Sequence, residues 1–583
     1  MFIHESGLVV KSYSIHGREL RASINKTALL SAIDTYLTAW SQEDRIGLPM
    51  PSRVEMSEYQ IITPEVVYWE IWPLVFECNR SNCSRIQLYW KIDDIVTSPR
   101  CKHCGGRMRQ LRYFSAHECG AIKKMHTPKC TIPEHGYKHV YFDDTGSFRT
   151  SVFRCRACNG SIIRRTLQSP CNCGAFPALD GRSMMRAYTV KDTRTYYPHH
   201  ISMINFEATT YNQLQRHPEK GRISTAFYLG LVSSAGQAME DFDRTSGIST
   251  RKSVDDWSDF ENKLRASGVL TEDEIGNIKE VQGPLNIGVE ALNNIDSKII
   301  ELGETTPLLE RTILFDKSEI KRLTLLDAER MAEDRGSAVG AKKIREGAAR
   351  ASMLGIEEIS VTWNFPIAMA AFGYTRSVKR RGQGRIRGFA KRNEYDGKTP
   401  IFTIASKTEA VLINLSAIRV FKWLQNLQLV ASKVDPKNQL EARTEILNIF
   451  AQRESNPEPA KACETLVHSI SHALLNTLND GQIGFAETSI AEWIVPETLT
   501  FALYANNLKS FTLGAFWTLL NNRIVQWLNS SYEMIWSCEN DPLCHQREPY
   551  ACERCLYVTF GCPFFNDNLN RKVIQEFWRT SDE

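Results

Sequence analysis

Residues 538–571 read CENDPLCHQREPYACERCLYVTFGCPFFNDNLNR and contain five closely spaced cysteines. Cys538 and Cys544 precede a Cys552-x2-Cys555 pair, and Cys562 follows that pair. Short-spaced thiols are typical of structural zinc sites, in which four ligands surround the ion. This segment, which we call the hook, therefore predicts a zinc site, and its five thiols leave open which four of them bind.

A second group of cysteines begins at Cys78 and holds ten of the sixteen in the chain. Cys78-x4-Cys83 is separated by seventeen residues from Cys101-x2-Cys104. Two knuckles joined by a loop of about fifteen to twenty residues can place four thiolates around one zinc ion. We predict a four-cysteine zinc site at these positions.

The same pattern recurs further along the chain. Cys155-x2-Cys158 is followed after twelve residues by Cys171-x-Cys173. A knuckle needs a tight backbone turn, and glycines follow closely after both pairs. We predict that these four cysteines form a second zinc site.

Cys119 and Cys130 lie between the two predicted sites, and four histidines lie near them: His117, His126, His135 and His139. Cys119, His126 and Cys130 could belong to a third, mixed site, or the two thiols could simply be buried. About three zinc ions are expected in total, and we expect them to be structural because four thiolates leave no coordination position for water.

The rest of the chain predicts an α+β multidomain protein. Residues 61–200 combine cysteines, aromatic residues and short strand patterns, including 66–69, 86–90 and 140–142, as in zinc ribbons. Charged helical patterns follow, with strand patterns at 358–363 and 400–404. The predicted domains are an N-terminal segment (1–60), a double zinc-ribbon region (61–200), a helical domain (201–350, including helices at 254–266 and 271–281), an α/β segment with a basic loop (351–430) and a helical C-terminal domain with the Cys-rich zinc hook (431–583).

Bulk composition is less specific. The chain has 583 residues, a formal net charge of +4 and 42% hydrophobic residues, which is ordinary for a folded protein. The N-terminal residues lack a signal-peptide pattern, and the longest apolar stretches are about half of a membrane span. We expect a cytoplasmic protein without a membrane partner, in which the clustered thiols stay reduced.

Residues 376–392 read RSVKRRGQGRIRGFAKR and contain no acidic residue. Three glycines favour a loop, and a mobile loop with charge of one sign is a natural contact for phosphates. The alternative is an ordinary solvated surface loop. The predicted nucleic-acid contacts are Arg376, Lys379, Arg380, Arg381, Arg385, Arg387, Lys391 and Arg392.

His468 and His472 lie four residues apart in a predicted helix. An H-x3-H pair binds zinc when a third ligand is present, but the H-E-x-x-H signature is missing because Ser469 takes the glutamate position. Packing of the histidines within the helix bundle is the favoured interpretation. A zinc-dependent hydrolase or nuclease that uses His468, His472 and Glu487 is the alternative. The sequence holds no phosphate-binding loop of the G-x4-G-K-[ST] type.

The hook resembles the C-terminal zinc-binding module of Mrf-type and Hrq-type superfamily 2 helicases, and more closely DrmB, the helicase-free subunit of DISARM antiphage systems. The residues that carry this resemblance in the hook are Asp541, Pro542, Cys544, Ala551, Cys552, Cys555, Leu556, Cys562, Asn566, Leu569 and Arg571. Upstream, LVHSISHALLNTL (466–478) is similar to the L-x-H-x3-H helix of that family, and FGYTR (372–376) to its G-F-T-R step. The similarity continues through RQLRYFSAHECG (109–120) and RAYTVKDTRTYYPHHIS (186–202).

The resemblance implies a non-catalytic accessory subunit that associates with a superfamily 2 helicase, DrmA-like in DISARM, and binds DNA in prokaryotic defence. ATP hydrolysis would then belong to the helicase partner. The alternative within this reading is a scaffold of a sibling system such as Druantia, without direct DNA binding.

Overall fold

The computed structural model describes residues 2–3, 9–19, 24–51, 58–89, 99–111, 113–145, 150–164, 169–173, 183–189, 196–206, 209–246, 295–376, 382–431, 433–479, 485, 490–506, 514–558, 562–564 and 566–579. The helices predicted at 254–266 and 271–281 lie outside this part of the chain. So do Lys379, Arg380 and Arg381 of the basic segment, and Glu487.

The chain is α+β and divides into two compact units. The first contains Met1–Asn205 and Ala368–Ala405, and the second contains Phe206–Ile367 and Ser406–Glu583. The five segments expected from the sequence are thus grouped into two. The 351–430 segment is shared between them, because its two long strands each contain a unit boundary.

In chain order, the described helices are α1 (Lys26–Leu37), α2 (Thr209–Arg216), α3 (Lys220–Leu229), α4 (Ala235–Ser246), α5 (Ser297–Gly303), α6 (Thr306–Phe315), α7 (Leu325–Asp334), α8 (Ala338–Met353), α9 (Ala417–Asn426), α10 (Gln439–Ala451), α11 (Pro457–Asn479), α12 (Ala515–Asn522), α13 (Ile524–Trp536), α14 (Leu543–Gln546) and α15 (Arg571–Arg579). The described strands are β1 (Phe2–Ile3), β2 (Val9–Glu19), β3 (Arg45–Ile46), β4 (Tyr59–Ile71), β5 (Val75–Cys78), β6 (Ile86–Leu88), β7 (Met108–Gln110), β8 (Tyr113–Ala116), β9 (Ile122–Lys124), β10 (Val140–Asp143), β11 (Val152–Cys155), β12 (Ser161–Arg164), β13 (Ser169–Cys171), β14 (Ser183–Thr189), β15 (Tyr197–Ile204), β16 (Arg322–Thr324), β17 (Ile356–Thr375), β18 (Ile386–Gly388), β19 (Thr399–Leu415), β20 (Ile490–Val495) and β21 (Thr500–Ala505).

Short strands dominate the first unit, as the zinc-ribbon pattern predicts. They form small antiparallel sheets in the orders β6-β5-β7, β10-β11-β12 and β13-β14-β8-β9, while β2 pairs with the long strand β4. The strands β5, β11 and β13 end at Cys78, Cys155 and Cys171. Because a strand holds its last residue in a fixed direction, each of these sheets positions a thiol at the end of one of its strands.

A buried helix organises the second unit. Every residue of helix α11 from 466 to 475 is buried, and Leu466, Ile470 and Leu474 have no exposed surface. Its backbone also accepts a hydrogen bond, since Trp527 Nε1 of α13 donates to the carbonyl oxygen of Leu474 at 3.0 Å. The buried stretch also contains the polar residues His468, Ser469, Ser471 and His472, so the elements around it must supply their hydrogen-bond partners. Across the described residues, we find no helix with the length and apolarity needed to cross a bilayer.

Glu310 of α6 provides a test of this core. Trp493 Nε1 of β20 donates to the Glu310 carboxylate at 3.1 Å, but burial raises the pKa of Glu310 from 4.5 to about 8. A carboxyl group whose pKa is higher in the folded chain stabilises the fold fully below about pH 4.5 and loses that contribution as the pH rises to about 8. We expect Glu310→Gln to flatten this decline, so that the variant melts above the wild type at pH 8. The melting temperatures of the wild type and the variant, measured across this pH range, test the expectation. Glu301→Gln on α5 is the exposed control. Parallel pH curves of the wild type and Glu310→Gln would contradict the expectation.

Candidate metal centres

Four cysteines of the first unit meet beside the end of β5. Cys78 Sγ lies 3.4 Å from Cys104 Sγ, and Cys83 Sγ lies 3.8 Å from Cys101 Sγ. A disulfide requires about 2.05 Å between its sulfur atoms. Thiolates about 2.3 Å from a tetrahedral metal lie about 3.7 Å from one another, so the observed separations fit a shared ion. The four form one group that could hold a metal ion, in the combination that their spacing predicts.

The turn after Cys101 shows how the backbone supports this group. Gly105 adopts a φ of +68°, a left-handed conformation that glycine tolerates best. This turn directs the backbone N–H of Gly106 at the Cys104 thiol and lowers its pKa to about 7. The thiolate is the form of cysteine that binds metals, so the knuckle prepares Cys104 as a ligand.

A second group combines three cysteines with a histidine: His117, Cys119, Cys171 and Cys173. Cys119 Sγ lies 3.6 Å from Cys171 Sγ, and Cys173 Sγ lies 3.6 Å from His117 Nδ1. Strand pairing assembles this group. Cys171 of β13 pairs with β14, and β14 pairs with β8, which ends immediately before His117.

The third group consists of Cys130, His135, Cys155 and Cys158. Cys158 Sγ lies 3.6 Å from Cys130 Sγ and 3.2 Å from His135 Nδ1. Cys155 lies at the end of β11 and pairs with Val140 of β10, which brings it next to the segment that contains His135. The N–H of Ile132 lowers the pKa of Cys130 to about 7.

These two groups correct the predicted second and third sites. Cys155 and Cys158 do not join Cys171 and Cys173, because β11 and β13 belong to different sheets. Cys130 instead joins Cys155 and Cys158, and Cys119 joins Cys171 and Cys173. The sequence had suggested that Cys119 and Cys130 could share one third site. His126, the histidine named for that site, is exposed and belongs to neither group.

The sequence places His117 and His135 near Cys119 and Cys130, but it does not assign either histidine to a particular group. One signal could have assigned His117. His117-x-Cys119 has the same spacing as Cys171-x-Cys173, so the two segments are matched halves of one site. His135 follows Cys130 by five residues, a spacing that carries little information without the strand arrangement.

Two arginines of the basic segment support the second group directly. Arg376 Nε donates to the carbonyl oxygen of Gly120 at 2.8 Å, and Arg387 Nε donates to that of Cys119. The guanidinium of Arg376 also lies 5.0 Å from the ring of Tyr374, and burial lowers the pKa of Arg376. Both arginines therefore hold the knuckle backbone, a role the basic pattern did not predict.

The other described basic residues are also engaged. Lys391 forms an ion pair with Glu58 at 3.0 Å, and Arg385 approaches Asp44 at 3.7 Å. Arg392 is half-buried. Of the eight predicted phosphate contacts, the described ones thus already have internal contacts or partial burial, and Lys379, Arg380 and Arg381 lie outside the described residues.

In the second unit, the hook builds a fourth group from Cys538, Cys544, Cys552 and Cys555. Cys538 Sγ lies 3.5 Å from Cys552 Sγ, and Cys555 Sγ lies 3.7 Å from both Cys544 Sγ and Cys552 Sγ. Backbone N–H groups are directed at these sulfur atoms, including that of Arg554 toward Cys552 at 3.4 Å. The structure thus selects four of the five thiols and leaves Cys562 out of this group.

Polar contacts around the hook fix its path. Asp541 receives two hydrogen bonds from the buried Arg571, at 2.6 and 3.0 Å. Asn566 holds Val558 by accepting from its N–H at 2.8 Å and donating to its carbonyl oxygen at 3.0 Å. The two ends of the hook are therefore joined by an ion pair, and its centre is held by a side-chain amide.

Cys562 joins a fifth group with His468, His472 and Glu492. The two histidines of α11 and Glu492 of β20 are buried, and Cys562 is half-buried. Burial favours the neutral form of Glu492, but the interactions with His472 and His468 outweigh it and hold the pKa well below its usual range. The histidines therefore do more than pack in the helix bundle, and Glu492 is a candidate ligand that sequence reasoning did not single out.

Comparison with known proteins adds one match. Residues 8–197 match the model of a domain of unknown function, DUF8724. This stretch contains the first three groups and none of the hook. No curated protein matches the chain.

Proposed function

We propose that this protein is a non-catalytic, zinc-binding accessory subunit of an antiphage defence complex, which associates with a superfamily 2 helicase and contacts DNA. One observation carries the proposal. The hook residues that resemble DrmB lie together with the L-x-H-x3-H helix in a single assembly. His472 Nδ1 lies 2.6 Å from the carbonyl oxygen of Leu556, and Asn476 donates to that of Cys555 at 2.8 Å.

The shared hook positions also have defined structural roles. Cys544, Cys552 and Cys555 belong to the fourth group, and Asp541 pairs with Arg571. Leu556 and Leu569 are buried. Residues that depend on one another for folding are expected to recur together, so this assembly supports the resemblance as one unit of structure.

Zinc is the metal that fits these groups best. Two of the five groups consist of four thiolates, two combine three thiolates with one imidazole, and the fifth combines two imidazoles, one carboxylate and one thiolate. Such sets favour tetrahedral zinc, and four protein ligands leave no position for a reacting water. The proposed role of the metal is to hold short strands and the hook in place.

The proposed DNA contact is narrower than the basic segment suggested. Arg376 and Arg387 support the knuckle at Cys119, which leaves Lys379, Arg380 and Arg381 as the proposed phosphate contacts. Lysine and arginine in such positions bind the backbone without reading bases. The affinity for DNA should therefore depend strongly on salt and weakly on sequence.

Charge reversal tests this contact. We expect Arg380→Glu with Arg381→Glu to weaken binding to labelled single-stranded and double-stranded DNA and to lower the slope of log affinity against log salt by about 2. The matched control is Lys342→Glu with Lys343→Glu, two adjacent exposed lysines of α8. Equal affinity of the wild type and the Arg380/Arg381 variant would contradict the proposed contact.

The helicase association has its own experiment. The full chain is mixed with a superfamily 2 helicase encoded beside its gene, and the mixture is separated by size-exclusion chromatography. The expected result is a stable complex whose ATPase activity is abolished by a substitution in the helicase motor alone. Separate elution of the two proteins, with and without DNA, would exclude the accessory role.

A further inference from the structure

The group around Cys562 differs from the hook's thiolates in its chemistry. It contains two imidazoles, one carboxylate and one thiol, supplied by helix α11, strand β20 and the end of the hook. We infer that His468, His472, Glu492 and Cys562 bind a zinc ion as a closed, four-ligand centre, separate from the hook's four-cysteine site. The inference does not depend on the proposed role in defence.

The four candidate ligand atoms lie close enough together to surround one ion. The two Nε2 atoms lie 3.0 Å apart, and Glu492 Oε1 lies 2.9 Å from His472 Nε2 and 3.3 Å from His468 Nε2. Cys562 Sγ lies 3.2 Å from His468 Nε2. Nitrogen and oxygen ligands at about 2.0–2.1 Å from a tetrahedral zinc lie about 3.3 Å apart, so one ion can contact all four atoms with small adjustments.

The protons of His472 strengthen the case. His472 Nδ1 faces the carbonyl oxygen of Leu556, which only accepts, so Nδ1 carries a proton. In a neutral ring Nε2 then carries a lone pair, and it lies 2.9 Å from a carboxylate oxygen of Glu492, which also only accepts. A cation between these two atoms removes the repulsion between them. A metal-binding histidine commonly donates its other N–H to a backbone carbonyl in this way.

The remaining ligands are oriented by further hydrogen bonds. Ser471 Oγ donates to Glu492 Oε2 at 2.5 Å, which turns Oε1 toward the histidines. The backbone N–H of Asn566 is directed at Cys562 Sγ at 3.4 Å. Metal ligands characteristically have such supporting partners, and here three of the four have them.

The closed ligand set assigns the centre a structural role. A catalytic zinc has three protein ligands and a water, whereas this group offers four protein ligands. The ion would join α11 and β20 to the far end of the hook. This differs from the zinc-hydrolase alternative, which needs an open coordination position next to His468 and His472.

The experiment measures metal content and ligand type on the full-length protein. Metal analysis is applied to the wild type, to Cys562→Ser and to the double variant His468→Asn with His472→Asn. Cys463→Ser, which changes a buried thiol of α11 outside all five groups, is the matched control. Both site variants should lose one equivalent of zinc relative to the wild type, and the control should lose none.

Replacement of zinc by Co²⁺ identifies the ligands. The absorption lost in the double variant should be that of a tetrahedral cobalt site with a single thiolate, weaker in charge transfer than the change produced by Cys555→Ser in the hook. Unchanged metal content in the double variant would overturn the inference in favour of an ion pair between a charged His472 and Glu492. If the double variant loses an ion but the lost Co²⁺ absorption contains no thiolate charge-transfer band, Cys562 is not a ligand and the four-ligand centre is wrong. Circular dichroism of Cys562→Ser, the smaller change, shows whether lost metal reflects general unfolding.

Discussion

Replacing Cys119 by serine is expected to remove one metal ion from the first unit and to unfold its knuckle. The same result is expected for Cys130→Ser, because each cysteine belongs to a different group. Structural zinc contributes roughly 10–16 kcal/mol of apparent binding free energy in small zinc domains, so the loss of one ligand should be visible as a large fall in stability. Metal analysis and limited proteolysis measure the two consequences.

The design separates the observed grouping from the one that spacing predicts. If Cys155, Cys158, Cys171 and Cys173 shared one ion, the single variants of Cys119 and Cys130 would keep their metal when these thiols are merely buried, and the double variant would lose one equivalent when the two thiols share a third ion. The double variant gives a further check, since it should lose two equivalents when the cysteines serve two ions. Cys463→Ser again provides a buried cysteine outside the groups as the control.

Asp541→Ala is expected to destabilise the second unit strongly. Arg571 is only 1% exposed, and its guanidinium makes two hydrogen bonds to Asp541. Removing one partner of a fully buried ion pair typically costs about 3–5 kcal/mol. Because the Asp541 side chain is 32% exposed, water can partly replace it at the guanidinium, and we expect a smaller cost of about 2–3 kcal/mol. The measurement is the urea midpoint of the transition that reports on the tryptophans of this unit, compared with the wild type.

Two further variants test whether the loss of stability comes from the ion pair between Asp541 and Arg571. Glu539→Ala removes a neighbouring acid whose ion pair with Arg554 is exposed, and it should change stability by less than about 1 kcal/mol. Asp541→Ala with Arg571→Met removes both charges and should recover part of the loss, because an apolar pair of similar volume avoids the buried charge. A loss in the double variant as large as in Asp541→Ala would contradict the ion-pair explanation.

The clustering of thiols in the hook and at Cys78 was predictable because these cysteines are close in sequence. A knuckle such as Cys101-x2-Cys104 is built by a local turn, and its counterpart lies one short loop away. The strand patterns at 358–363 and 400–404 were predictable for the same reason, and they lie within β17 and β19. The sequence did not predict that each of these two strands continues from one unit into the other. Periodicity in the sequence does not show where the neighbours of a strand change.

The sequence by itself determined that the protein is α+β, that it carries clustered thiols at two places, and which residues form the first group. Only the tertiary structure decided how the other candidate ligands are divided among groups. Spacing constrains a single knuckle, whereas the choice of its partner depends on which strands pair, and β14 brings Cys171 to Cys119 across about fifty residues of chain. The same long-range packing takes Arg387 from the basic segment to the knuckle, and Cys562 from the hook to the histidines of α11.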